Sequence, residues 1–216
     1  KSASWISKNK VRITFDVDSV EKINNSINDV IFVVDTSASM SESGFDSIKS
    51  AVKDVLDKLK GKASLISFND TATILSDFTD DYDFVYNSVN SLSLTGNTNY
   101  YQALIKVDEL LSSYVYDGKR PVSLVFLTDG YPSSDTPNEV SQYKYLKSKY
   151  EYLDIKAIQY NIGTAIVDNV KNISDKQFWA NDKNINDVLY KAVFDIVYYD
   201  YFKIVDNVNE DYFSID

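Results

Sequence analysis

The sequence predicts an α/β fold: a doubly wound, mostly parallel sheet with one antiparallel edge strand and helices on both faces. Two runs, Val30–Val34 and Pro121–Leu127, are apolar without alternation, which is typical of parallel strands covered on both sides. Elsewhere apolar residues recur every three or four positions, as they do along one face of a helix. Two strand-like runs, Ala63–Phe68 and Thr71–Phe78, are separated only by an Asn-Asp pair. This pattern predicts a hairpin, and with it the antiparallel edge strand.

The other elements follow from the same periodicities. Lys10–Val17 alternates apolar and polar residues, as a half-exposed strand does. Apolar stripes predict three helices, over residues 48–59 with Gly61 ending the helix, 103–114 and 185–196. One further helix and two further strands are expected at Val140–Tyr150, Ile155–Tyr160 and Gln177–Ala180.

Three regions are expected along the chain. Residues 1–28 form an N-terminal strand extension and linker, residues 29–200 the α/β domain, and residues 201–216 a C-terminal extension. Strand-like patterns at both ends predict that Lys10–Val17 pairs with, or packs near, the segment Tyr201–Ile215. The chain starts abruptly at Lys1 without a signal peptide, so we expect it to be an excised piece of a longer protein.

The amino-acid composition excludes several classes of functional site and partner. The 216 residues suffice for one such domain, and they include no cysteine and no histidine. Disulfides, Cys–His and Ser–His nucleophilic pairs and His or Cys zinc sites are therefore excluded. The net charge of −10 argues against nucleic acid or anionic membrane as a partner. No apolar run approaches the ~20 residues of a membrane span, so direct membrane insertion is not expected.

Five oxygen-bearing side chains stand where the ligand-binding edge of an α/β sheet is expected. Three of them, Asp35, Ser37 and Ser39, follow the first apolar run; Asp129 follows the second, and Thr98 lies in a Gly/Asn-rich turn. Carboxylate and hydroxyl oxygens are the ligands that a hard cation such as Mg²⁺ prefers. Each residue alone would be an ordinary turn or N-cap residue.

These residues also carry a family resemblance. The spacing Asp35-x-Ser37-x-Ser39 resembles the DxSxS signature of von Willebrand factor type A (vWA) domains. The turn containing Thr98 and the run Leu124–Gly130 (LVFLTDG) are similar to two further pieces of that family, in the same order. The resemblance spans roughly Asp29 to Val197. It implies a metal-ion-dependent adhesion site that takes Mg²⁺ or Mn²⁺ rather than Ca²⁺. The three hydroxyls would ligate directly, and the two carboxylates directly or through water.

Such a site favours recognition. Hydroxyl ligands add no formal charge, so the ion retains affinity for a Glu or Asp of a protein partner. Loop residues around the site are expected to form the rim that selects this partner; they are Ser41, Gly44, Tyr100, Tyr101, Tyr131 and Asp135. For Tyr100 and Tyr101, packing at the helix start is the alternative reading.

Two binding functions remain open at this point. The resemblance, with flanks similar to those of Gram-positive surface and pilus-tip adhesins, implies a bacterial cell-surface domain that binds host extracellular matrix or cell-surface protein. The alternative is an intracellular, cytoplasmic assembly module that docks an ATPase-linked partner. A domain whose metal only stabilises it is a further alternative. Catalysis is not expected, because no second metal cluster, phosphate-binding glycine loop or strong base accompanies the five residues.

Overall fold

The computed structural model describes residues 2–7, 10–14, 28–118, 120–133, 138–161, 163 and 165–194. The chain divides into two compact units, residues 1–23 with 196–216, and residues 24–195. In the first unit, β1 (Ser2–Ser7) pairs antiparallel with β2 (Lys10–Thr14). The strand β2 lies within the predicted strand, whereas β1 was not predicted. The predicted pairing with Tyr201–Ile215 lies outside the described residues.

The second unit alternates strands and helices. Its strands are β3 (Asp29–Asp35), β4 (Ala63–Phe68), β5 (Ala72–Thr79), β6 (Val122–Thr128), β7 (Leu153–Tyr160) and β8 (Lys176–Ala180). Its described helices are α1 (Glu42–Leu56), α2 (Tyr82–Asn90), α3 (Tyr100–Ser113), α4 (Asn138–Lys149), α5 (Asp168–Lys171) and α6 (Ile185–Phe194). Within this described part, no helix combines the length and the apolar character that crossing a membrane requires.

The strand order is β5-β4-β3-β6-β7-β8, and all neighbours are parallel except β5, which pairs antiparallel with β4. The predicted fold class is therefore confirmed, including the antiparallel edge. The chain first builds outward from β3 to one side and then from β6 to the other. The order consequently reverses between β3 and β6, which is where open α/β sheets bind ligands.

Helices cover the central strands because these strands are apolar on both faces. Ile31 and Val33 of β3 belong to the core cluster that α3 fills with Leu104 and Val107. The residues between them, such as Phe32, alternate to the opposite face of the sheet, and they too are fully buried. The sheet is thus fixed from both sides, and its strand ends are held in place.

Gly61 differs from its predicted role. Helix α1 ends at Leu56, capped by Asp57, so the glycine does not end it. A Cβ on Gly61 would lie 1.8 Å from the main-chain oxygen of Asn28, so the missing side chain permits a close approach of two chain segments. The amide of Asn28 also donates to the main-chain oxygen of Val193 at 3.1 Å. Residue 28 before β3 and residue 193 near the end of α6 are therefore adjacent.

Helix α2 was not predicted, because the segment has little apolar periodicity. Only Val85 and Val89 of this helix are buried. The helix begins where Asp81 accepts a hydrogen bond from the N–H of Phe84 at 3.0 Å. In a polar stretch, one capping residue and two apolar positions are too few to indicate a helix.

Burial along α3 predicts a large difference between two valines of the same region. Val107 is fully buried, whereas Val115 is 88% exposed. We expect Val107→Ala to lower the free energy of unfolding by about 2 kcal/mol, because it removes buried methyl groups and leaves a cavity. Val115→Ala should change it by less than about 0.5 kcal/mol. Denaturant unfolding of both variants measures this, and equal effects would contradict the packing described.

Candidate metal centre

Asp35 is the buried centre of the site. It ends β3 and is fully inaccessible to solvent. Val34 pairs with Leu127 across β3 and β6, which brings the next two residues, Asp35 and Thr128, together. The Thr128 hydroxyl donates to Asp35 Oδ2 at 2.7 Å, and the Ser37 N–H donates to Asp35 Oδ1 at 2.9 Å. Both carboxyl oxygens are therefore held by the protein.

Ser37 and Ser39 link Asp35 to the second carboxyl group of the site, that of Asp129. Their hydroxyl oxygens lie 3.0 Å apart. The side chains of Ser37 and Asp35 are hydrogen-bonded, as are those of Ser39 and Asp129. Four of the five predicted ligands thus form one connected set of oxygen atoms at the reversal of strand order.

Thr98 is tied to this group through the backbone. It is almost fully buried, at 3% exposure. Its N–H donates to the Ser133 hydroxyl, and the Ser133 N–H donates back to the Thr98 carbonyl oxygen, both at 3.0 Å. The Ala38 N–H donates to the Gly96 carbonyl oxygen at 3.0 Å. The turn that carries Thr98 therefore bridges the loops that carry the other four residues.

Burial dominates the electrostatics of the two carboxyl groups. It raises the pKa of Asp35 from 3.8 to about 6, and the neighbouring charge of Asp129 acts in the same direction. Hydrogen bonds from Ser37 and Thr128 oppose this rise. Burial also raises the pKa of Asp129, opposed by the hydrogen bond from Ser39. No Lys or Arg is among the described groups that act on these two pKa values.

This donor set fits a hard cation. Two buried carboxyl groups without a basic partner are stabilised by a positive charge between them. In the described part of the chain, no three Asp or Glu side chains cluster in a way that could hold a metal. A metal here would therefore depend on the hydroxyls of Ser37, Ser39 and Thr98 to complete its ligands.

Two residues predicted for the rim are buried instead, so their assignment was wrong. Tyr100 is fully buried, and its ring packs edge-on against Phe68 and Phe126 because the first turn of α3 faces the core. Gly44 is buried in the first turn of α1, where a Cβ would lie 2.5 Å from the ring of Tyr160. Neither residue can reach a partner.

The other rim residues differ in exposure. Ser41 is exposed and also caps α1, accepting the Gly44 N–H at 3.2 Å. Tyr101 is half-buried. Tyr131, two residues after Asp129, is 58% exposed. Asp135 lies outside the described residues. Tyr131 is therefore the large apolar side chain that the described rim presents to solvent.

Sequence reasoning missed Thr128 as a site residue. The single proton of its hydroxyl goes to Asp35, so the Tyr100 hydroxyl, 3.0 Å away, donates to Thr128. The Gly130 N–H also donates to Thr128 at 3.2 Å. The signal was a polar residue at the end of an apolar run, directly before Asp129. Tyr100, the first residue of α3, is therefore linked to Asp35 through the hydroxyl of Thr128.

Asp70 is the second residue that was missed. Its carboxylate lies in the turn between β4 and β5 and accepts hydrogen bonds from the N–H and the amide of Asn97, at 3.1 and 2.8 Å. The sequence indicated only that this residue belongs to a hairpin turn. No local pattern connects it to a residue 27 positions away.

The sequence and the fold both resemble those of known proteins. Residues 30–132 match the family described as von Willebrand factor type A domain. These residues include all five predicted ligands. No curated protein matches the sequence significantly.

Solved structures of vWA proteins resemble the chain in fold. Proximal thread matrix protein 1 from the mussel byssus, with a zinc-occupied MIDAS motif (MIDAS, metal-ion-dependent adhesion site), aligns with a TM-score of 0.63 at 18% identity over 81% of this chain and 48% of its own. A von Willebrand factor type A protein from Catenulispora acidiphila gives 0.64 at 15% over 78% and 43%. The vWF domain of the type V pili tip protein Mfa5 from Porphyromonas gingivalis gives 0.59 at 14% over 76% and 93%.

At these identities the likeness shows the fold alone. The chain spans less than half the length of the mussel and Catenulispora chains. The family match, the strand order and the structural likeness agree with one another. Over residues 30–132 the chain matches the von Willebrand factor type A family in sequence, and its six-stranded sheet has the fold of vWA domains.

Proposed function

We propose that this vWA domain is a metal-dependent protein-binding module that uses Mg²⁺ or Mn²⁺ at the carboxyl edge of the sheet to bind a Glu or Asp of a partner. The connected group of Asp35, Ser37, Ser39 and Asp129 carries this proposal. Its carboxyl groups are buried without a basic neighbour among the described residues. A cation held by these residues would offset the buried charges and would supply a positive charge that a partner carboxylate could bind.

The ligand residues would hold the ion without fully neutralising its charge, so that it could still bind a carboxylate of the partner. Ser37, Ser39 and Thr98 would bind it through hydroxyls, and Asp35 and Asp129 directly or through water. The ion supplies positive charge for the partner's carboxylate. Because hydroxyls are uncharged, the protein neutralises that charge only in part. Both Asp35 oxygens already accept hydrogen bonds, which limits the charge that Asp35 can donate.

Binding is a better fit than catalysis. Domains of this family are generally protein-interaction modules, and the similar structures are mostly adhesion or structural proteins. The likeness to a pilus tip protein supports a place at the bacterial cell surface. We assign the domain to a Gram-positive surface adhesin whose partner is a host extracellular-matrix or cell-surface protein. The net charge of −10 argues against nucleic acid.

Metal binding is tested first with two matched serine variants. Ser39 contacts Ser37 and Asp129, whereas Ser43 is an exposed serine in the first turn of α1. In calorimetric titration of metal-stripped protein with Mg²⁺, we expect one saturable site. Ser39→Ala should weaken it at least tenfold by removing a ligand, and Ser43→Ala should not. Equal affinity in wild type and Ser39→Ala would contradict the assigned site.

Partner binding is tested with two exposed tyrosines. Wild-type protein should bind an immobilised extracellular-matrix protein in Mg²⁺ and release it in EDTA. Tyr131→Ala should weaken that binding about tenfold or more, because exposed aromatic side chains beside a central contact are common anchors. The control is Tyr145→Ala on α4, whose ring is 45% exposed. Retention in EDTA, or equal effects of the two variants, would count against the proposal.

Asp35 predicts opposite effects on stability and on metal binding. Asp35→Asn should abolish Mg²⁺ binding while stabilising the metal-free protein at pH 7 by up to about 3 kcal/mol, because it removes a buried charge. Folding raises the pKa of Asp35, so wild-type stability falls as the pH rises from about 4 through 6. The advantage of the variant should therefore vanish near pH 4.

Urea unfolding in EDTA at pH 4 and pH 7 measures this difference. Asp77→Asn is the control, because it removes a negative charge that is exposed to solvent. A variant that is destabilised equally at both pH values would show that Asp35 serves packing alone.

A further inference from the structure

The turn that carries Thr98 has little regular structure to hold it. Residues 95–99 lie between α2 and α3, in neither helix nor strand, and Gly96 has a φ of +73°. Two of its backbone hydrogen bonds, from Thr95 to Thr36 and from Ala38 to Gly96, join it to the Asp35 loop. Another pair joins Thr98 to Ser133. These partners lie in loops that themselves follow ligand-bearing strands.

Asp70 supplies an anchor of a different kind. It lies in the tight turn between β4 and β5, which is closed by a hydrogen bond from the Asn69 N–H to the Thr71 carbonyl oxygen at 2.8 Å. From this rigid hairpin the carboxylate grips Asn97 with both oxygens. The two donors hold the pKa of Asp70 below its usual value, so the carboxylate form is the one bound.

Gly96 makes room for this contact. A Cβ at Gly96 would lie 2.3 Å from Asp70 Oδ2. The glycine therefore serves both the positive φ of the turn and the close approach of the carboxylate. The residue directly after Asn97 is Thr98, so the grip on Asn97 fixes the position from which the Thr98 hydroxyl must act.

We propose that Asp70 is a positioning residue for the metal site: its two hydrogen bonds to Asn97 anchor the Thr98 turn to the β4–β5 hairpin and preorganise the Thr98 hydroxyl for metal binding. This inference rests on the proposed metal-binding function. Residues that orient metal ligands typically change metal affinity ten- to a hundredfold when mutated. Asp70 itself acts without touching the metal.

The experiment is a Mg²⁺ titration of the metal-stripped full chain, compared with thermal unfolding in EDTA. Asp70→Asn keeps the shape of the side chain but places an NH₂ group against an N–H donor. We expect about tenfold weaker Mg²⁺ binding and a metal-free unfolding midpoint close to that of wild type. Removing a negative charge weakens cation binding by itself, so Glu42→Gln is the matched control. Glu42 is exposed in the first turn of α1, next to the site's first loop.

A double-mutant cycle identifies the contact. Asn97→Ala removes the amide donor, and the pair Asp70→Asn with Asn97→Ala should weaken Mg²⁺ binding no more than the stronger single variant. Additive effects would overturn the proposed grip. So would an affinity for Asp70→Asn equal to that of Glu42→Gln. Wild-type protein that binds no Mg²⁺ would instead refute the proposed function, so the two failures are distinguishable.

Discussion

The site depends on the pairing of β3 with β6. These two strands run parallel in adjacent positions, and their register places the end of one beside the end of the other. Asp35 and Thr128 are therefore in contact, and Asp129 and the serines of the first loop follow from either side. A shift of one residue would turn Asp35 toward the opposite face of the sheet. The apolar helices on both faces prevent such a shift, so the core packing sets the geometry of the polar edge.

Burial of two acidic groups opposes the stability that the core provides. A buried carboxylate is destabilising unless hydrogen bonds or a cation compensate it. Hydrogen bonds from Ser37 and Thr128 compensate the burial of Asp35 in part, and a hydrogen bond from Ser39 does so for Asp129. The pKa of each carboxyl group nevertheless stays above its usual value. Functional sites commonly retain such local instability. A site whose polar groups were all fully paired within the protein would gain little free energy from binding a ligand.

Local patterns sufficed to predict what depends on neighbours in sequence. The bounds of β4 were predicted to the residue, and the buried strands β3 and β6 to within a residue or two, because unbroken apolar runs are distinctive. The five candidate ligands followed from spacing and from the family resemblance. The structure joins four of them by hydrogen bonds and brings the turn of Thr98 against them. The burial of Tyr100, the role of Gly61 and the contact of Asp70 with Asn97 depend on segments far apart in sequence, for which no short pattern exists.

The hydrogen bond between Asn28 and Val193 has a consequence for the closure of the second unit. It joins two residues of the second unit that are 165 positions apart in sequence. Closing so long a loop in an unfolded chain is entropically unfavourable, by about 3 kcal/mol more than closing one of a few residues. In the folded second unit, the strands and helices between residues 28 and 193 bring these two residues together. The contact between Asn28 and Val193 therefore depends on the sheet and helices that lie between them in sequence.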